Sequence, residues 1–135
     1  MVMNKVALDT NIAIDLLNGN VNILTQMNQY DLVCLPVTVC GELLFGAKNS
    51  GKAKANESKY KNFISACSVL ETNSLVAEKY AEIRLALKQK GAPIPENDIW
   101  IAAICMVNGI PLFTRDLHFK HVEELLLITP NLKNA

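Results

Sequence analysis

Short apolar runs alternate with longer segments of helical period, and this alternation constrains the fold more than any other feature of the sequence. The runs that predict strands cover residues 5–8, 32–35, 67–70, 110–113 and 126–128. Helical spacing of apolar residues predicts helices over residues 12–17, 21–30, 39–47, 54–66, 74–90, 98–107 and 117–122. Strands separated by helices favour parallel pairing, right-handed crossovers and helices on both faces of the sheet. The sequence therefore predicts an α/β fold, a three-layer α/β/α arrangement around a parallel sheet of four to five strands.

The chain is expected to form one domain over residues 1–135. Its 135 residues are enough to bury a core, and no repeat, low-complexity segment or linker divides them. Half of the residues are apolar and 19% are charged, which is ordinary for a soluble globular protein. The 13 basic and 13 acidic residues give a formal net charge of zero, so any binding to nucleic acid would have to use a local basic patch.

Cysteine usage and hydropathy predict a cytoplasmic protein. The cysteines lie far apart in apolar runs, without a C-x-x-C pair, at Cys34, Cys40, Cys67 and Cys105. This pattern favours buried free thiols in a reducing compartment over disulfides or a zinc site. The longest uncharged apolar run is far shorter than a membrane span, and no apolar signal segment precedes the first strand.

Carboxylates follow two of the predicted strands and begin one predicted helix. Asp9 follows the first strand, Asp116 follows the fourth, and Asp98 begins the mostly apolar helix DIWIAAICMV. Open parallel sheets form their sites at the carboxyl ends of strands. Each residue alone could equally be a helix N-cap, because aspartate is a favoured cap and helix N-termini stabilise anions. Thr114, at the end of the fourth strand, adds a hydroxyl that could hold a water molecule or a carboxylate.

Glu42 lies on a predicted helix whose other residues are mostly apolar. It is the one charged residue between Asp31 and Lys48. Because a carboxylate is rarely buried without a partner, this position favours a site. The alternative is that this face of the helix borders solvent.

Four carboxylates at one edge of a sheet would repel one another. A pair about 4 Å apart costs ~1 kcal/mol in water-like surroundings and ~4 kcal/mol at an effective dielectric near 20. A bound cation would offset this repulsion, and ligation by oxygen alone suits Mg²⁺ or Mn²⁺. The chemistry that uses such a site without an organic cofactor is hydrolysis of a phosphodiester, in which the metal polarises the phosphate and activates a water molecule.

Four short motifs resemble those of PIN-domain ribonucleases, and most closely those of VapC-type toxins of bacterial toxin–antitoxin pairs. They are L-D-T-N at 8–11, G-E-L-L-F-G-A at 41–47, N-D-I-W-I-A-A at 97–103 and L-F-T-R-D-L-H-F at 112–119. The segment R-L-A-L-K-Q-K-G-A-P-I at 84–94 also resembles the linker before the third acidic motif of those toxins. All four motifs occur in order, so the resemblance covers essentially the whole chain.

The resemblance implies a role for particular residues. The acidic positions of the family fall on Asp9, Glu42, Asp98 and Asp116, and its auxiliary polar positions fall on Asn11 and Thr114. It further implies an endoribonuclease dependent on Mg²⁺ or Mn²⁺ that inhibits translation by cutting tRNA or another structured RNA. The implied partners are a second copy of the chain in a homodimer and a cognate VapB-like antitoxin, which places a basic side chain in the acidic pocket.

Basic and histidine residues outside the acidic set are further candidates for binding. A basic stretch could grip the RNA backbone or could simply be a solvated surface. The residues concerned are Lys48, Lys52, Lys54, Lys59 and Lys61, with Arg115 beside the last acidic position. His118 and His121 are three residues apart, and surface histidines are a commoner outcome than metal ligands.

Two other functions compete with a ribonuclease. A phosphatase of the haloacid-dehalogenase type also has an aspartate after its first strand, but it requires a second aspartate at the position where this chain has Asn11. A non-enzymatic PIN-fold interaction protein would not need the complete acidic set. Binding of Mn²⁺ together with cleavage of RNA or of a phosphomonoester would discriminate among the three.

Overall fold

The structure is a computed structural model that describes residues 3–130. Residues 1–2 and 131–135 of the predicted domain lie outside the described part. The strands are β1 (Lys5–Leu8), β2 (Leu32–Pro36), β3 (Ser68–Leu70), β4 (Leu112–Phe113) and β5 (Leu127–Ile128). The helices are α1 (Thr10–Leu17), α2 (Val21–Met27), α3 (Val37–Lys48), α4 (Ala53–Ser65), α5 (Ser74–Gln89) and α6 (Glu96–Asn108), and a 3₁₀ helix spans Leu117–His121.

The five strands form one parallel sheet in the order β3-β2-β1-β4-β5. The central strand is β1, in which Ala7 pairs with Cys34 of β2 on one side and Leu112 of β4 on the other. The connections from β1 to β2 and from β2 to β3 lead toward one edge of the sheet, and the connection from β3 to β4 crosses back to the other side of β1. Right-handed crossovers therefore place α5 and α6 on the face opposite α1–α4. The predicted α/β fold with a parallel sheet of four to five strands is confirmed.

The core explains why the strands appear in the sequence as short apolar runs. Val6, Ala7 and Leu8 of β1 are fully buried, as expected for the central strand of a sheet covered on both faces. The middle of α6, residues 101–105, is also buried, which agrees with its apolar sequence. Within residues 3–130, no helix has both the length and the apolar character needed to cross a membrane.

Helices α3 and α6 begin two residues before their predicted starts. Each follows a proline, Pro36 or Pro95, that takes the N-cap position without a side-chain cap. The predicted helix over 117–122 is a 3₁₀ helix, and the predicted helix over 21–30 ends at Met27. Asp98 therefore lies inside the first turn of α6 and does not begin the helix.

The cysteines are free thiols, as predicted. Cys34, Cys40 and Cys105 are buried, and Cys67 is partly buried. Burial raises the pKa of Cys105 to about 12 and that of Cys67 to about 11, so both thiols are protonated at neutral pH.

Candidate active site

The carboxyl edge of the sheet brings together the four carboxylates that the sequence singles out. Asp9 directly follows β1, Asp116 lies after β4, Glu42 is in the second turn of α3, and Asp98 is in the first turn of α6. Asp98 lies close enough to the other three for their charges to raise its pKa. We refer to Asp9, Glu42, Asp98 and Asp116 as the acidic cluster.

Asp9 is both a helix cap and a member of this cluster. Its Oδ1 accepts a hydrogen bond from the backbone N–H of Ile12 at 3.0 Å, and its Oδ2 accepts one from the Thr114 hydroxyl. The residue is only 6% exposed. Burial raises the pKa of Asp9, and the charge of Asp116 adds to this, although the two hydrogen bonds oppose it. The two interpretations of Asp9 from the sequence, as a cap or as a site residue, are therefore compatible.

Thr114 links Asp9 to Asp116. Besides donating to Asp9, its hydroxyl oxygen accepts a hydrogen bond from the backbone N–H of Asp116 at 2.9 Å. Asn11, the other predicted auxiliary residue, is exposed on the first turn of α1. Within the described range its side chain forms no hydrogen bond or ion pair.

Glu42 is held by two residues, Thr10 and Asn97, that are not among the site residues predicted from the sequence. The Thr10 hydroxyl donates to Glu42 Oε2 at 2.9 Å, and the Asn97 side-chain amide donates to Oε1 at 3.1 Å. These bonds join α1 and α6 to α3 and fix the carboxylate. The sequence feature that could have indicated these two contacts is adjacency to acidic residues, because Thr10 follows Asp9 and Asn97 precedes Asp98.

His118 also lies at the acidic cluster. Its Nδ1 is 3.1 Å from Asp116 Oδ1 and 3.6 Å from Asp98 Oδ2. The side chain is 53% exposed, as expected for a surface histidine, but the sequence does not predict its contact with two carboxylates. His121, in contrast, lines a different cavity with Lys79 and Glu124.

The pKa of Asp98 is raised by burial and by repulsion from the other carboxylates of the cluster. Burial is the main cause that raises the pKa of Asp98 to about 6, and the charges of Asp116, Glu42 and Asp9 add to it. His118 acts in the opposite direction. One ligand atom from each of Asp98, Asp116 and His118 lies within 4.8 Å of the others, which is close enough to share an ion. A donor set rich in carboxylate oxygens fits Mg²⁺ or Mn²⁺.

The basic residues predicted to bind RNA fall into two groups. Most are already paired: Lys48 and Lys61 with Glu57 (3.2 and 3.9 Å), Lys59 with the Asn18 side chain (3.2 Å), and Arg115 with Asp15. Lys52 and Lys54 are exposed and have no side-chain partner in the part of the chain that the structure describes. These two lysines are therefore the most available for phosphate.

Comparison with known proteins identifies relatives along nearly the whole chain. The family model of the PIN domain matches residues 6–125. The ribonuclease VapC2 of Rickettsia felis is 30% identical over 125 residues, covering 89% of this chain and 93% of the relative. The tRNA(fMet)-specific endonuclease VapC of Shigella flexneri is 28% identical over 116 residues, covering 84% and 88%.

A solved structure shows the same fold. The DNA-bound VapBC complex of Salmonella typhimurium contains a chain that superposes with a TM-score of 0.89 at 26% sequence identity. The match covers 96% of this chain and the whole of that one. All four residues of the acidic cluster lie within the segment that the family model matches.

Proposed function

The chain belongs to the PIN-domain family and, within it, to the VapC ribonucleases, and from this premise we propose that it is a metal-dependent endoribonuclease that acts as a toxin. The single observation that carries the proposal is the convergence of four carboxylates from four separate segments on one edge of the sheet. We assign Asp9, Glu42, Asp98 and Asp116 to the metal site and Thr114 to its support. Asn11 is retained as an auxiliary residue on the resemblance alone.

A bound divalent cation would offset the repulsion between this acidic cluster and an anionic substrate. Four carboxylates repel a phosphodiester, and the chain has no net positive charge to compensate for them. When bound, Mg²⁺ or Mn²⁺ would neutralise charge on the phosphate and lower the pKa of a water molecule. Asp98 and Asp116, whose oxygens lie closest to a shared position with His118, would hold the ion.

The remaining residues orient the site. Thr114 and the N-terminus of α1 fix both oxygens of Asp9, so that this carboxylate keeps one orientation. Thr10 and Asn97 fix Glu42 in the same way. Each Glu42 oxygen retains a lone pair that can accept a hydrogen bond from the attacking water molecule. A preorganised arrangement of this kind is what positions a nucleophile for in-line attack.

The biological role proposed here follows the relatives. The Shigella flexneri relative is named for cleavage of tRNA(fMet), and the Salmonella typhimurium structure is a VapBC complex. We propose that this chain inhibits translation by cleaving tRNA or another structured RNA and that a VapB-like antitoxin controls it. We further propose that it is a homodimer, that residues 1–135 form one domain, and that it acts in the cytoplasm. A haloacid-dehalogenase-type phosphatase is not favoured, because family membership and Asn11 both argue against it.

The test combines an assay in vitro with one in cells. The purified protein should cleave RNA with Mn²⁺ or Mg²⁺ present, should lose this activity in EDTA, and should not hydrolyse a phosphomonoester. Asp98→Asn should abolish cleavage. Expression of the parent without an antitoxin should arrest growth, and Asp98→Asn at equal abundance should relieve the arrest. A variant that stays as toxic as the parent would contradict the assignment.

A further inference from the structure

A cavity of about 500 Å³ opens next to the acidic cluster, where the N-terminal ends of three helices meet. Its walls come from α3, from α5 with the two residues before it, and from α6. The lining residues are Thr38, Thr72, Asn73, Ala77, Asn97 and Trp100. We call this space the α3–α5–α6 cavity.

The cavity is continuous with the acidic cluster through two residues. Asn97 lines it and donates a hydrogen bond to Glu42 at 3.1 Å. Thr38 lines it and lies four residues before Glu42 on α3, so the two side chains are on the same face of that helix, one turn apart. A group bound in the cavity would therefore lie beside a phosphate bound at the carboxylates.

The chemistry of the lining suits a neutral ligand with hydrogen-bonding groups. None of the six lining residues is charged. The hydroxyl oxygen of Thr38 is buried and has no hydrogen-bond partner in the described part of the chain. Asn73 uses its side-chain oxygen to cap α5 at Val76 (3.0 Å), and its side-chain NH₂ group has no partner among residues 3–130. A buried polar group without a partner is costly, and a ligand could satisfy it.

Trp100 gives the cavity an aromatic surface, and its ring packs against a neighbouring aromatic residue. Its ring stacks on Tyr80, with centroids 4.0 Å apart and planes inclined by 15°. The Tyr80 hydroxyl is bonded to Glu96 and to Arg84, each at 2.7 Å. Tyr80 does not line the cavity, so the cavity contacts a part of the indole that Tyr80 leaves uncovered.

We propose that the α3–α5–α6 cavity binds an unpaired nucleobase of the RNA, next to the phosphodiester that is cut. This inference rests on the proposed ribonuclease function and adds a subsite to it. The base packs against Trp100 and forms hydrogen bonds with Thr38 and Asn73. An uncharged lining favours a base over a second phosphate, and aromatic side chains with adjacent polar groups are how proteins bind unpaired bases.

Trp100 is the one tryptophan of the chain, so its fluorescence reports directly on the cavity. We would titrate the parent in EDTA, which prevents cleavage, with a mixed-sequence single-stranded RNA hexamer and with an abasic hexamer of the same charge. Saturable quenching by the hexamer, and none by the abasic oligomer, is expected. Equal responses to the two oligomers, or no response to either, would overturn the proposal. Emission that changes with protein concentration and not with RNA would assign the cavity to a protein interface and would also overturn it.

Variants locate the contact. Thr38→Val should weaken hexamer binding about fivefold, and the matched Thr25→Val on the exposed surface of α2 should leave it unchanged. By anisotropy of labelled RNA, Trp100→Ala should weaken binding roughly 5- to 100-fold, and Trp100→Phe should recover part of the loss. If Trp100→Ala does not fold, Thr38→Val and Trp100→Phe still decide the question, and unchanged affinity in both would overturn the proposal.

Cleavage by the same preparations with Mn²⁺ separates this inference from the proposed function. Cleavage without base-dependent quenching would refute the subsite and leave the ribonuclease assignment intact. Base-dependent quenching without cleavage would refute the ribonuclease assignment and leave a base-binding cavity. With both present, Thr38→Val should reduce the preference for particular bases at one position beside the cut.

Discussion

The Thr114 hydroxyl donates a hydrogen bond to Asp9 Oδ2, although the two residues are 105 positions apart in the chain. It also accepts a hydrogen bond from the backbone N–H of Asp116 at 2.9 Å, so it connects the ends of β1 and β4 at the acidic cluster. Thr114→Val keeps the shape of the side chain and removes both bonds. We expect a loss of about 1–3 kcal/mol in the free energy of unfolding, together with reduced RNA cleavage.

Thr114→Ser is the matched control, because it keeps the hydroxyl and removes only a methyl group. Urea unfolding and single-turnover cleavage with Mn²⁺ measure the two effects. Cleavage by Thr114→Val equal to that of the parent would mean that this hydroxyl supports the fold and not the site.

Thr10 should act as a positioning residue for Glu42. Thr10→Val removes the 2.9 Å bond to Glu42 Oε2 and leaves Asn97 as the only residue holding that carboxylate within residues 3–130. We expect kcat to fall about tenfold with KM for RNA little changed, because a misplaced group costs rate more than binding. Thr10→Ser should restore kcat. A change confined to KM would assign Thr10 to substrate contact instead.

The stability of the metal-free protein should depend on pH through Asp98. The pKa of Asp98 is raised to about 6 in the folded protein, against about 3.9 in an unfolded chain, so between these values the folded state binds more protons. The stabilisation from this proton is present at low pH and is lost as the pH rises through about 6. From pH 5 to pH 7, Asp98 should therefore contribute a loss of about 1 kcal/mol.

The control for this effect is Asp98→Asn, which cannot titrate. Melting curves in EDTA at pH 5 and pH 7 should show a smaller decrease for this variant than for the parent. Because the ion competes with the proton, the Mn²⁺ concentration needed to stabilise the parent should rise below pH 6. If the melting temperatures of the two proteins depend on pH in the same way, Asp98 is not the titrating group.

Lys52 and Lys54, whose side chains have no partner within residues 3–130, should contribute most to the electrostatic binding of RNA. Changing Lys52 and Lys54 to Gln should weaken binding and reduce the slope of log K against log salt by up to about one unit for each phosphate that is no longer neutralised. The matched pair, Lys48 and Lys61 changed to Gln, should have a smaller effect, because both already interact with Glu57. Equal slopes for all three proteins would mean that these lysines are solvated surface residues that do not contact the phosphates of the RNA.

The fold, and the meeting of the four acidic residues at one edge of the sheet, could be predicted from the sequence because both depend on local patterns. The central strand is buried on both faces, so it forms a continuous apolar run that ends in Asp9. Parallel pairing then places the residues after each strand at one edge. The periodicity of α3 and α6 likewise places Glu42 and Asp98 near that edge, although both helices begin earlier than predicted.

The hydrogen bonds and ion pairs around the acidic residues could not be predicted in this way. The bonds of Thr10 and Asn97 to Glu42 join residues 32 and 55 positions apart, and their geometry depends on how three helices pack. His118 comes within 3.6 Å of Asp98 from a 3₁₀ helix. The spacing of apolar residues predicts a helix over residues 117–122, but it does not predict toward which neighbouring residues the polar side chains of that helix point. Residues that touch a site through tertiary packing alone leave no pattern in one sequence.

The sharpest test of the site is Asp9→Asn, because a residue that is only a cap and a cap that is also a metal-site carboxylate predict opposite changes. Asn keeps an oxygen that can accept the bond from Ile12 N–H, and its NH₂ group replaces the oxygen that accepts from Thr114, so that it can donate to the Thr114 hydroxyl oxygen instead. The substitution also removes a carboxylate charge that burial and Asp116 destabilise. In EDTA at pH 7, the variant should therefore melt at a higher temperature than the parent. Asp9→Ala also removes the charge but loses the cap, at a cost of about 0.5–2 kcal/mol, so it should melt below the Asn variant.

Addition of Mn²⁺ should reverse the order of the parent and Asp9→Asn. An ion that binds only the folded parent stabilises it by about 2.7 kcal/mol at a hundred times the dissociation constant. Asp9→Asn should gain much less, because it lacks one of the charges that favour the cation, and RNA cleavage should fall by orders of magnitude in the same variant. If Asp9→Asn instead melts below the metal-free parent and responds equally to Mn²⁺, Asp9 serves as a cap alone, and the metal site must be built from Glu42, Asp98 and Asp116 without it.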